Sequence, residues 1–247
     1  MKNNLPQVWR TGERTLRYSF GEGISRDIYQ SVHSFSDFIL SELGYFIEEV
    51  VPSYHTVTVF FHKSSTLDTL KIDELLEKWE VLELDNRLFS TRQITIPVCY
   101  ESPYCEDITR IECITGLSQD EIIHLHSNKI YTIYMIGFLP GFPYLGDLDP
   151  ALFVPRLEKP RVKVPKGTIG IGGSQTGIYP IESPGGWNII GRTPLDIFSL
   201  QRENPFLLKA GDQLKFASIG HKDFKEIEDE MKNDRDAVYR FIAEVGV

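Results

Sequence analysis

The polar and aromatic side chains between residues 174 and 192 have the composition of a site for a small polar substrate. A carbonyl-bearing substrate needs hydrogen-bond donors for its oxygen, an acceptor for its NH group and an apolar wall. Gln, Arg, Glu and Trp side chains supply these in turn. The candidates are Ser174, Gln175, Thr176, Tyr179, Glu182, Ser183, Trp187, Asn188 and Arg192.

A structural interpretation of the same residues stays open. Gln175 and Thr176 would then bond only turn backbone. Glu182 would pair with Arg192, and Trp187 would lie in a core.

A basic run just before this cluster is a second candidate site. It contains Arg156, Lys159, Arg161, Lys163 and Lys166 against one acid, Glu158, in a chain whose formal net charge is -9. Arg offers a bidentate fork and Lys a mobile point charge, so the run could hold a carboxylate, a carbamate or a phosphate. The alternative is a solvated loop and strand.

Several familiar chemistries do not fit. Gly141 and Gly146 have the Walker A spacing, but Asp147 and Leu148 stand where Lys and Ser or Thr are required. The glycines at 170–173 form no dinucleotide fingerprint, and Ser174 lacks the G-x-S-x-G elbow. The sequence therefore predicts neither a conventional nucleotide loop nor a serine nucleophile.

The histidines and cysteines predict no metal site. Cys99, Cys105 and Cys113 match neither CxxC nor a zinc spacing, as expected of reduced thiols in the cytosol. His124 and His126 would point to different sides of a helix, and the other histidines are isolated in the sequence.

Glycine and proline mark the segment 137–193 as the part of the chain that builds a site. It holds 11 of the 19 glycines and 8 of the 14 prolines, interleaved with polar and aromatic side chains. Glycine permits positive φ or close approach, and proline stiffens turns, so this density predicts many fixed tight turns.

The bulk composition excludes some classes of protein. The acidic charge argues against a general nucleic-acid binder, whose affinity comes from clustered Lys and Arg. The N-terminus has no apolar core of a signal peptide, and no run of 18 apolar residues occurs. These features predict a cytoplasmic protein without a membrane partner.

Residues 15–98 predict a β-α-β-β-α-β order. Strands are expected at 15–20, 45–51, 56–62 and 92–98. A first helix has apolar positions Ile24, Ile28, Val32, Phe35, Ile39 and Leu43, and a second has Leu70, Ile72, Leu75, Leu76, Trp79 and Leu82. This order is typical of a ferredoxin-like domain with both helices on one face. The polar stretch 84–91 is the expected boundary, although the strand at 92–98 could belong to either domain.

The rest of the chain predicts a second domain. Two short helices are expected between 107 and 128, the second with a capping box at Ser118 and Glu121. Short strands follow at 130–136 and within VKVPKGTIGI, TGIYPIE, WNIIGRT, LDIFSL and DQLKFAS. They predict a closed, mostly antiparallel β-barrel, followed by a helical tail.

Four motifs resemble the allophanate hydrolase subunit 1 family. They are YMIGFLPGFPYLGDLDP (134–150), PRVKVPKGTIGI (160–171), QTGIYPIESPGGWNIIGRTP (175–194) and KAGDQLKF (209–216). The family includes the sporulation kinase inhibitor of bacilli and the B-type subunit of bacterial 5-oxoprolinase. The resemblance implies an α+β fold, with a ferredoxin-like N-terminal domain at 1–90 and a cyclophilin-like β-barrel domain at 91–247. The chain departs from the family pattern at 99–106, where members carry glycine-rich residues.

The resemblance also implies partners. The barrel is expected to act with a homologous second barrel subunit of the allophanate hydrolase subunit 2 family and with a lactam-hydrolysing subunit. Together they would convert 5-oxoproline to glutamate with ATP and Mg, and the chain would be inactive alone with no tightly bound cofactor. The alternatives are an inhibitor of a sensor histidine kinase, which would use an exposed groove at 138–144, and a carboxyltransferase-like component of urea or allophanate metabolism.

Residue chemistry assigns roles for the lactam reaction. The catalytic candidates are Lys166, Arg192 and Glu182, and the first two would stabilise charge on a phosphoryl group. The candidates for substrate binding are Pro140, Phe142, Arg161, Lys163, Gln175, Thr176, Tyr179 and Trp187. Among these, Pro140, Phe142 and Trp187 would form the pocket wall.

Overall fold

The computed structural model describes residues 4–63, 72–82 and 92–244. It divides into two compact units, Met1–Phe89 and Ser90–Val247. Leu70 and the predicted boundary segment 84–91 lie outside the described residues. None of the helices in the described ranges is both long and apolar enough to cross a membrane.

In its described residues, the first unit is a four-stranded antiparallel sheet with two helices. Its elements are β1 (Gln7–Gly12), β2 (Thr15–Ser19), α1 (Arg26–Leu43), β3 (Ile47–Pro52), β4 (Thr56–Phe61) and α2 (Ile72–Val81). The sheet order is β1-β2-β4-β3. Alternate residues of β4 are buried with Phe35 of α1 and Trp79 of α2, so both helices cover one face.

The order of elements in this unit differs from the prediction. A strand precedes the predicted first strand, because the residues before and after Gly12 pair as a hairpin, β1 with β2. The predicted last strand, Arg92–Val98, lies in the sheet of the second unit. The observed order is therefore β-β-α-β-β-α. The α1 helix begins after Ser25, whose side chain accepts a hydrogen bond from the Ile28 N–H.

Between residues 92 and 244, the second unit is built on an eight-stranded sheet and a separate two-stranded one. Its elements are β5 (Arg92–Val98), α3 (Ile108–Thr115), α4 (Gln119–Ser127), β6 (Ile130–Ile136), β7 (Pro143–Leu145), β8 (Arg161–Val164), β9 (Thr168–Gly172), β10 (Gln175–Ile178), β11 (Ser183–Gly185), β12 (Asn188–Arg192), β13 (Gln213–Ser218), α5 (His221–Asn233) and β14 (Ile242–Glu244). The large sheet has the order β12-β9-β10-β7-β6-β13-β5-β14, and β8 pairs with β11. The capping box predicted at Ser118 and Glu121 is present.

The predicted closed barrel is wrong, because the described strands of the large sheet leave it open. Its outer strands are β12 and β14, and β12 meets β5 only through an isolated bridge between Arg192 and Cys99. Two backbone hydrogen bonds of 2.9 and 3.0 Å form this bridge. The N-terminal half of the β5 edge already pairs with β14. Pro97 of β5 has no N–H to offer a ladder, so the two strands cannot pair further.

The predicted strand within 195–200 is also wrong. Phe198 forms only an isolated bridge with Phe206. The chain turns back on itself here, since Ser199 N–H donates to Pro205 and Leu207 N–H donates to Ile197. The alternating burial of residues 193–199 therefore arises from a local loop and not from a strand.

A buried hydrogen-bond chain crosses the core of the second unit. The Tyr100 hydroxyl lies 2.8 Å from Nδ1 of His126, and Nε2 of His126 lies 2.9 Å from Oγ1 of Thr176. Thr176 in turn donates to the Gly170 carbonyl oxygen at 3.0 Å. These bonds suit a neutral imidazole that accepts from Tyr100 and donates to Thr176. Burial lowers the pKa of His126 to about 3.

We expect acid to destabilise the fold through His126. The unfolded chain binds a proton at this residue near pH 6.5, whereas the folded chain does so only near pH 3. Stability is therefore lost as the pH falls through 6.5, and this residue makes it about 2 kcal/mol lower at pH 5 than at pH 8. His126→Gln should remove that share of the pH dependence in urea unfolding followed by circular dichroism.

His124→Gln is the matched control, since His124 lies on the same helix with its side chain exposed. The control should keep the pH dependence of the parent. An equal slope of unfolding free energy against pH in His126→Gln and parent would contradict the role given to His126.

Candidate functional site

An aromatic pocket of about 290 Å³ lies in the second unit. Its lining is mostly apolar, with one guanidinium and two phenol groups. The lining residues are Phe138, Phe142, Tyr144, Arg156, Leu157, Pro160, Tyr179, Pro184, Gly185, Gly186 and Trp187. The structure thus brings together three of the residues predicted to bind substrate, Phe142, Tyr179 and Trp187. We refer to this cavity as the aromatic pocket.

Three glycines, Gly170, Gly172 and Gly177, lie directly under the side chain of Trp187, and we call them the glycine floor. A Cβ atom at Gly172 would lie 2.7 Å from Cδ1 of Trp187, and one at Gly170 would lie 3.0 Å from its Cβ. From the neighbouring strand, a Cβ at Gly177 would lie 3.0 Å from the indole Cζ3. The indole therefore occupies the space that side chains of β9 and β10 would otherwise fill.

The other aromatic rings pack around Trp187. The Phe142 ring meets those of Trp187 and Tyr179 edge to face, with centroid separations of 5.5 and 5.3 Å. Gly185 leaves room for the Tyr179 hydroxyl, because a Cβ there would collide with it. The pocket walls are consequently fixed by packing on several strands.

A tight loop between β6 and β7 forms the rim of the pocket. Phe138 has φ 66°, a left-handed conformation that is uncommon for a residue with a side chain. Its ring is 63% exposed and packs edge to face on Phe142. Backbone bonds from Gly137 to Phe142 and from Phe142 to Leu139 hold the loop in this shape. An exposed aromatic side chain at the mouth is thus held in a strained backbone conformation.

Arg156 supplies the positive charge of the aromatic pocket. Its guanidinium carbon lies 5.6 Å from the centroid of the Trp187 ring. Among the described residues it has no carboxylate within ion-pair distance. Burial raises the pKa of Tyr144 and Tyr179, and the charge of Arg156 opposes this at both hydroxyls. Both phenols therefore remain protonated hydrogen-bond donors at neutral pH.

A second cavity, the basic cavity, has a volume of about 330 Å³. Four cationic and two anionic side chains line it: Lys166, Arg192, Lys232, Arg235, Asp196 and Glu228. Lys166 pairs with Asp196 at 3.0 Å, and Arg192 Nε donates to the Lys166 carbonyl oxygen at 2.9 Å. The basic cavity shares no lining residue with the aromatic pocket. Two of the predicted catalytic residues, Lys166 and Arg192, therefore lie outside the aromatic pocket.

Two charged candidates pair with one another on the surface. Lys163 and Glu182 are both exposed, and their side chains form an ion pair of 2.9 Å. Glu182 therefore pairs with Lys163 and not with Arg192, the partner expected in the structural interpretation. Neither side chain lines the aromatic pocket or the basic cavity.

Arg161 is tied into the fold beside the aromatic pocket. Its Nη2 lies 2.6 Å from Oδ1 of Asp107, whose other oxygen accepts the Ile189 N–H at 2.6 Å. This carboxylate links β8 to β12. Arg161 Nη1 is buried, and no atom of the described residues hydrogen-bonds to it.

The remaining candidates lie outside the aromatic pocket. Thr176 belongs to the buried chain through His126, Gln175 is half-buried at the start of β10, and Pro140 is exposed. Sequence reasoning did not select Tyr144, and it left Arg156 in the basic run without a role. The positive charge of Arg156, just before the aromatic cluster, could have indicated its role. The other four basic residues of the run have the same charge, so the sequence did not distinguish Arg156 from them.

Comparisons with known proteins show the family. Residues 6–208 match the family described as carboxyltransferase domain, subdomain C and D. The chain belongs to this carboxyltransferase-domain family. The match confirms the resemblance indicated by the glycine-rich and proline-rich motifs.

Two relatives in the carboxyltransferase-domain family are named as the B-type subunit of 5-oxoprolinase. The protein of Bacillus subtilis (strain 168) is 36% identical over 238 residues, which cover 91% of this chain and 97% of that one. The protein of Haemophilus influenzae is 43% identical over 174 residues, covering 70% and 80% of the two chains. The solved structure of the K. lactis urea amidolyase shares the fold, with a TM-score of 0.72 at 18% identity. It matches 98% of this chain and 18% of that one.

We expect the glycine floor to be intolerant of a single methyl group. In Gly172→Ala the new Cβ would displace the indole of Trp187, and such overpacking costs about 1–3 kcal/mol. The free energy of unfolding in urea should fall by this amount, and the tryptophan emission of the folded state should change.

Gly186→Ala is the control for this prediction. The atoms nearest to a Cβ at Gly186 would be those of Pro160, at ordinary contact distances of 3.6–3.7 Å. Its stability should stay close to that of the parent. Equal effects of the two substitutions would show that Trp187 does not depend on the floor.

Proposed function

We propose that this chain is the B-type subunit of an ATP-dependent 5-oxoprolinase that works in the cytoplasm. The main support is its similarity, over 91% of its length, to the B. subtilis protein that carries this 5-oxoprolinase name. The chain would act with a homologous barrel subunit and a lactam-hydrolysing subunit. On this proposal it has no activity alone, and Mg-ATP binds only in the assembled complex.

The chemistry of the aromatic pocket supports a small lactam as ligand. The 5-oxoproline molecule is a five-membered ring amide with one carboxylate, and it is much smaller than the pocket volume of about 290 Å³. The flat ring would lie against Phe142 and Trp187. The carboxylate would meet the guanidinium of Arg156, which has no protein carboxylate of its own among the described residues.

The phenols of Tyr144 and Tyr179 would orient the ring. Both line the aromatic pocket and keep their protons at neutral pH because burial raises their pKa. A phenol can donate to the lactam carbonyl oxygen, which is the atom that phosphorylation would modify. Phosphorylation of this oxygen makes the ring carbon open to attack by water.

The basic cavity supports a role with phosphate groups. Asp196 and Glu228 offset two of its four cations, and Arg192 and Arg235 have no carboxylate partner within the described part of the chain. Lys166 and Arg192 would stabilise negative charge during phosphoryl transfer. The two cavities share no lining residue. We therefore propose that partner subunits complete the site between the lactam in the aromatic pocket and the phosphate groups in the basic cavity.

We also propose a fold family for each of the two units. The four-stranded antiparallel sheet with two helices on one face supports a ferredoxin-like relative for the first unit. The second unit would be an open variant of the cyclophilin-like architecture.

Reconstitution tests this function. The chain would be mixed with the two partner subunits, 5-oxoproline, ATP and Mg²⁺, and glutamate release would be measured with each component omitted in turn. Glutamate release that requires this chain would support the proposal. An assembled complex without activity would overturn it, and inhibition of a sensor histidine kinase would then be assayed.

Arg156 should govern substrate affinity. Loss of a charge-assisted bond to the carboxylate in Arg156→Ala should raise the KM for 5-oxoproline about 10-fold to 100-fold and change kcat less. Arg26→Ala, an exposed arginine of α1, should leave both constants unchanged. An unaltered KM in Arg156→Ala would remove Arg156 from the binding site.

Lys166 should govern turnover. Lys166→Ala should lower kcat on the order of 100-fold, because it removes a positive charge near the transferred phosphoryl group. The complex should still assemble, as judged by size-exclusion chromatography. Lys222→Ala is the control, since this side chain is 87% exposed and pairs with Glu226 along α5. Full activity of Lys166→Ala would exclude this role.

A further inference from the structure

Three donor side chains of different types meet outside both cavities. Cys99 follows β5, Glu101 lies two residues further, and His221 begins α5. The sulfur, one carboxylate oxygen and one imidazole nitrogen all lie within 4.8 Å of one another. Nothing in the proposed oxoprolinase chemistry uses them.

The distances suit a small divalent ion. Nε2 of His221 lies 3.4 Å from Oε2 of Glu101. Ligand atoms of a tetrahedral zinc site are separated by about 3.3–3.8 Å, given bonds of about 2.0–2.3 Å to the metal. The imidazole and carboxylate are therefore already at a coordinating separation, and the sulfur requires a shift of about 1 Å or less.

The Ser102 carbonyl oxygen would supply a fourth donor once it moves from hydrogen-bond distance of the imidazole to the ligand separation of about 3.3–3.8 Å. It lies 2.7 Å from Nε2 of His221. In the metal-free protein the imidazole N–H bonds this oxygen. On metal binding the imidazole proton would move to Nδ1 and leave Nε2 free to coordinate, and the thiol proton would pass to water.

Contacts with neighbouring residues hold Cys99 and His221 in place. The backbone of Cys99 is fixed by its two bonds to Arg192, and the cysteine side chain is fully buried. The His221 ring lies 5.4 Å from the ring of Tyr104, which stacks on Phe224 at 4.6 Å. Glu101 is exposed and His221 half-exposed, so an ion can enter from solvent.

We infer that Cys99, Glu101 and His221 form a binding site for Zn²⁺ or a similar borderline-soft divalent ion. A thiolate with an imidazole favours Zn²⁺ over the hard ions Mg²⁺ and Ca²⁺, which prefer oxygen ligands alone. The two anionic ligands also balance the charge of the ion. Bound metal would join the end of β5 to the start of α5, beside the single bridge between β5 and β12.

Cobalt spectroscopy tests this site on the intact chain. The protein, purified with a chelator and a thiol reductant and then freed of the chelator, would be titrated with Co²⁺. We expect one equivalent to give the thiolate-to-cobalt charge-transfer band and the strong visible bands of a tetrahedral site. Zn²⁺ should displace the cobalt, and Mg²⁺ in excess should not. Absence of the charge-transfer band would overturn the inference and leave only a surface ion pair.

Variants assign the ligands. His221→Asn and Glu101→Gln change exposed side chains and should each weaken Co²⁺ binding at least 10-fold with an unchanged circular dichroism spectrum. Cys99→Ser should abolish the charge-transfer band. If Cys99→Ser does not fold, the first two variants still decide the question. Unchanged affinity in both His221→Asn and Glu101→Gln would overturn the site.

Matched controls use residues of the same types. Cys113→Ser and His124→Asn alter an exposed cysteine and an exposed histidine away from the cluster. Both should bind Co²⁺ like the parent. Loss of the charge-transfer band in Cys113→Ser, with the band retained in Cys99→Ser, would place the metal elsewhere and overturn the inference.

Discussion

The packing of Trp187 on a floor of glycines is the constraint on which the site depends. Gly170, Gly172 and Gly177 leave one face of adjacent strands without side chains, and the indole fills that space. The opposite face of the same strands carries Ile169, Ile171 and Ile178 into the main core. The sheet thus has an aliphatic face for stability and a glycine face that accepts one large aromatic ring.

Everything else in the aromatic pocket is positioned relative to that ring. Phe142 and Tyr144 pack against its edge, and Arg156 lies over its face. Burial raises the pKa of Tyr179, and the backbone N–H of Trp187 and the charge of Arg156 both oppose this effect. A fixed aromatic wall, with one guanidinium that has no carboxylate partner among the described residues, offers a small anionic ring both an apolar surface and a charged anchor.

The open edge of the large sheet explains how the rest of the unit is arranged. Strand β5 is shared between β13 on one edge and β14 on the other, so β12 reaches it only at Cys99. The carboxylate of Asp107 ties β8 to β12 near this gap, through Arg161 and the Ile189 N–H. Two features lie at this gap between β12 and β5. The side chain of Arg192 lines the basic cavity, and the backbone of Arg192 bonds Cys99 of the cluster that also contains Glu101 and His221.

Local patterns in the sequence determined the elements whose cause is local. The cap at Ser25, the capping box at Ser118 and Glu121 and the strands β6 and β9 follow from neighbouring residues, and the structure contains each of them. The density of glycine and proline also indicated which segment builds a site, and three of the four family motifs lie in it or overlap it. Phe142, Tyr179 and Trp187 were selected there as side chains that could wall the pocket or position a ring, although the sequence left open that Trp187 is a core residue.

The tertiary structure alone decided which side chains share a cavity. Five basic residues between 156 and 166 look equivalent in sequence, yet Arg156 faces Trp187, Arg161 is bound by Asp107, and Lys166 lies in the other cavity. Barrel closure depended on whether β14 or β12 pairs with β5, and the meeting of Cys99 with His221 depended on where α5 begins. Such outcomes come from competition between distant segments for one edge or one space, and no local periodicity records that competition.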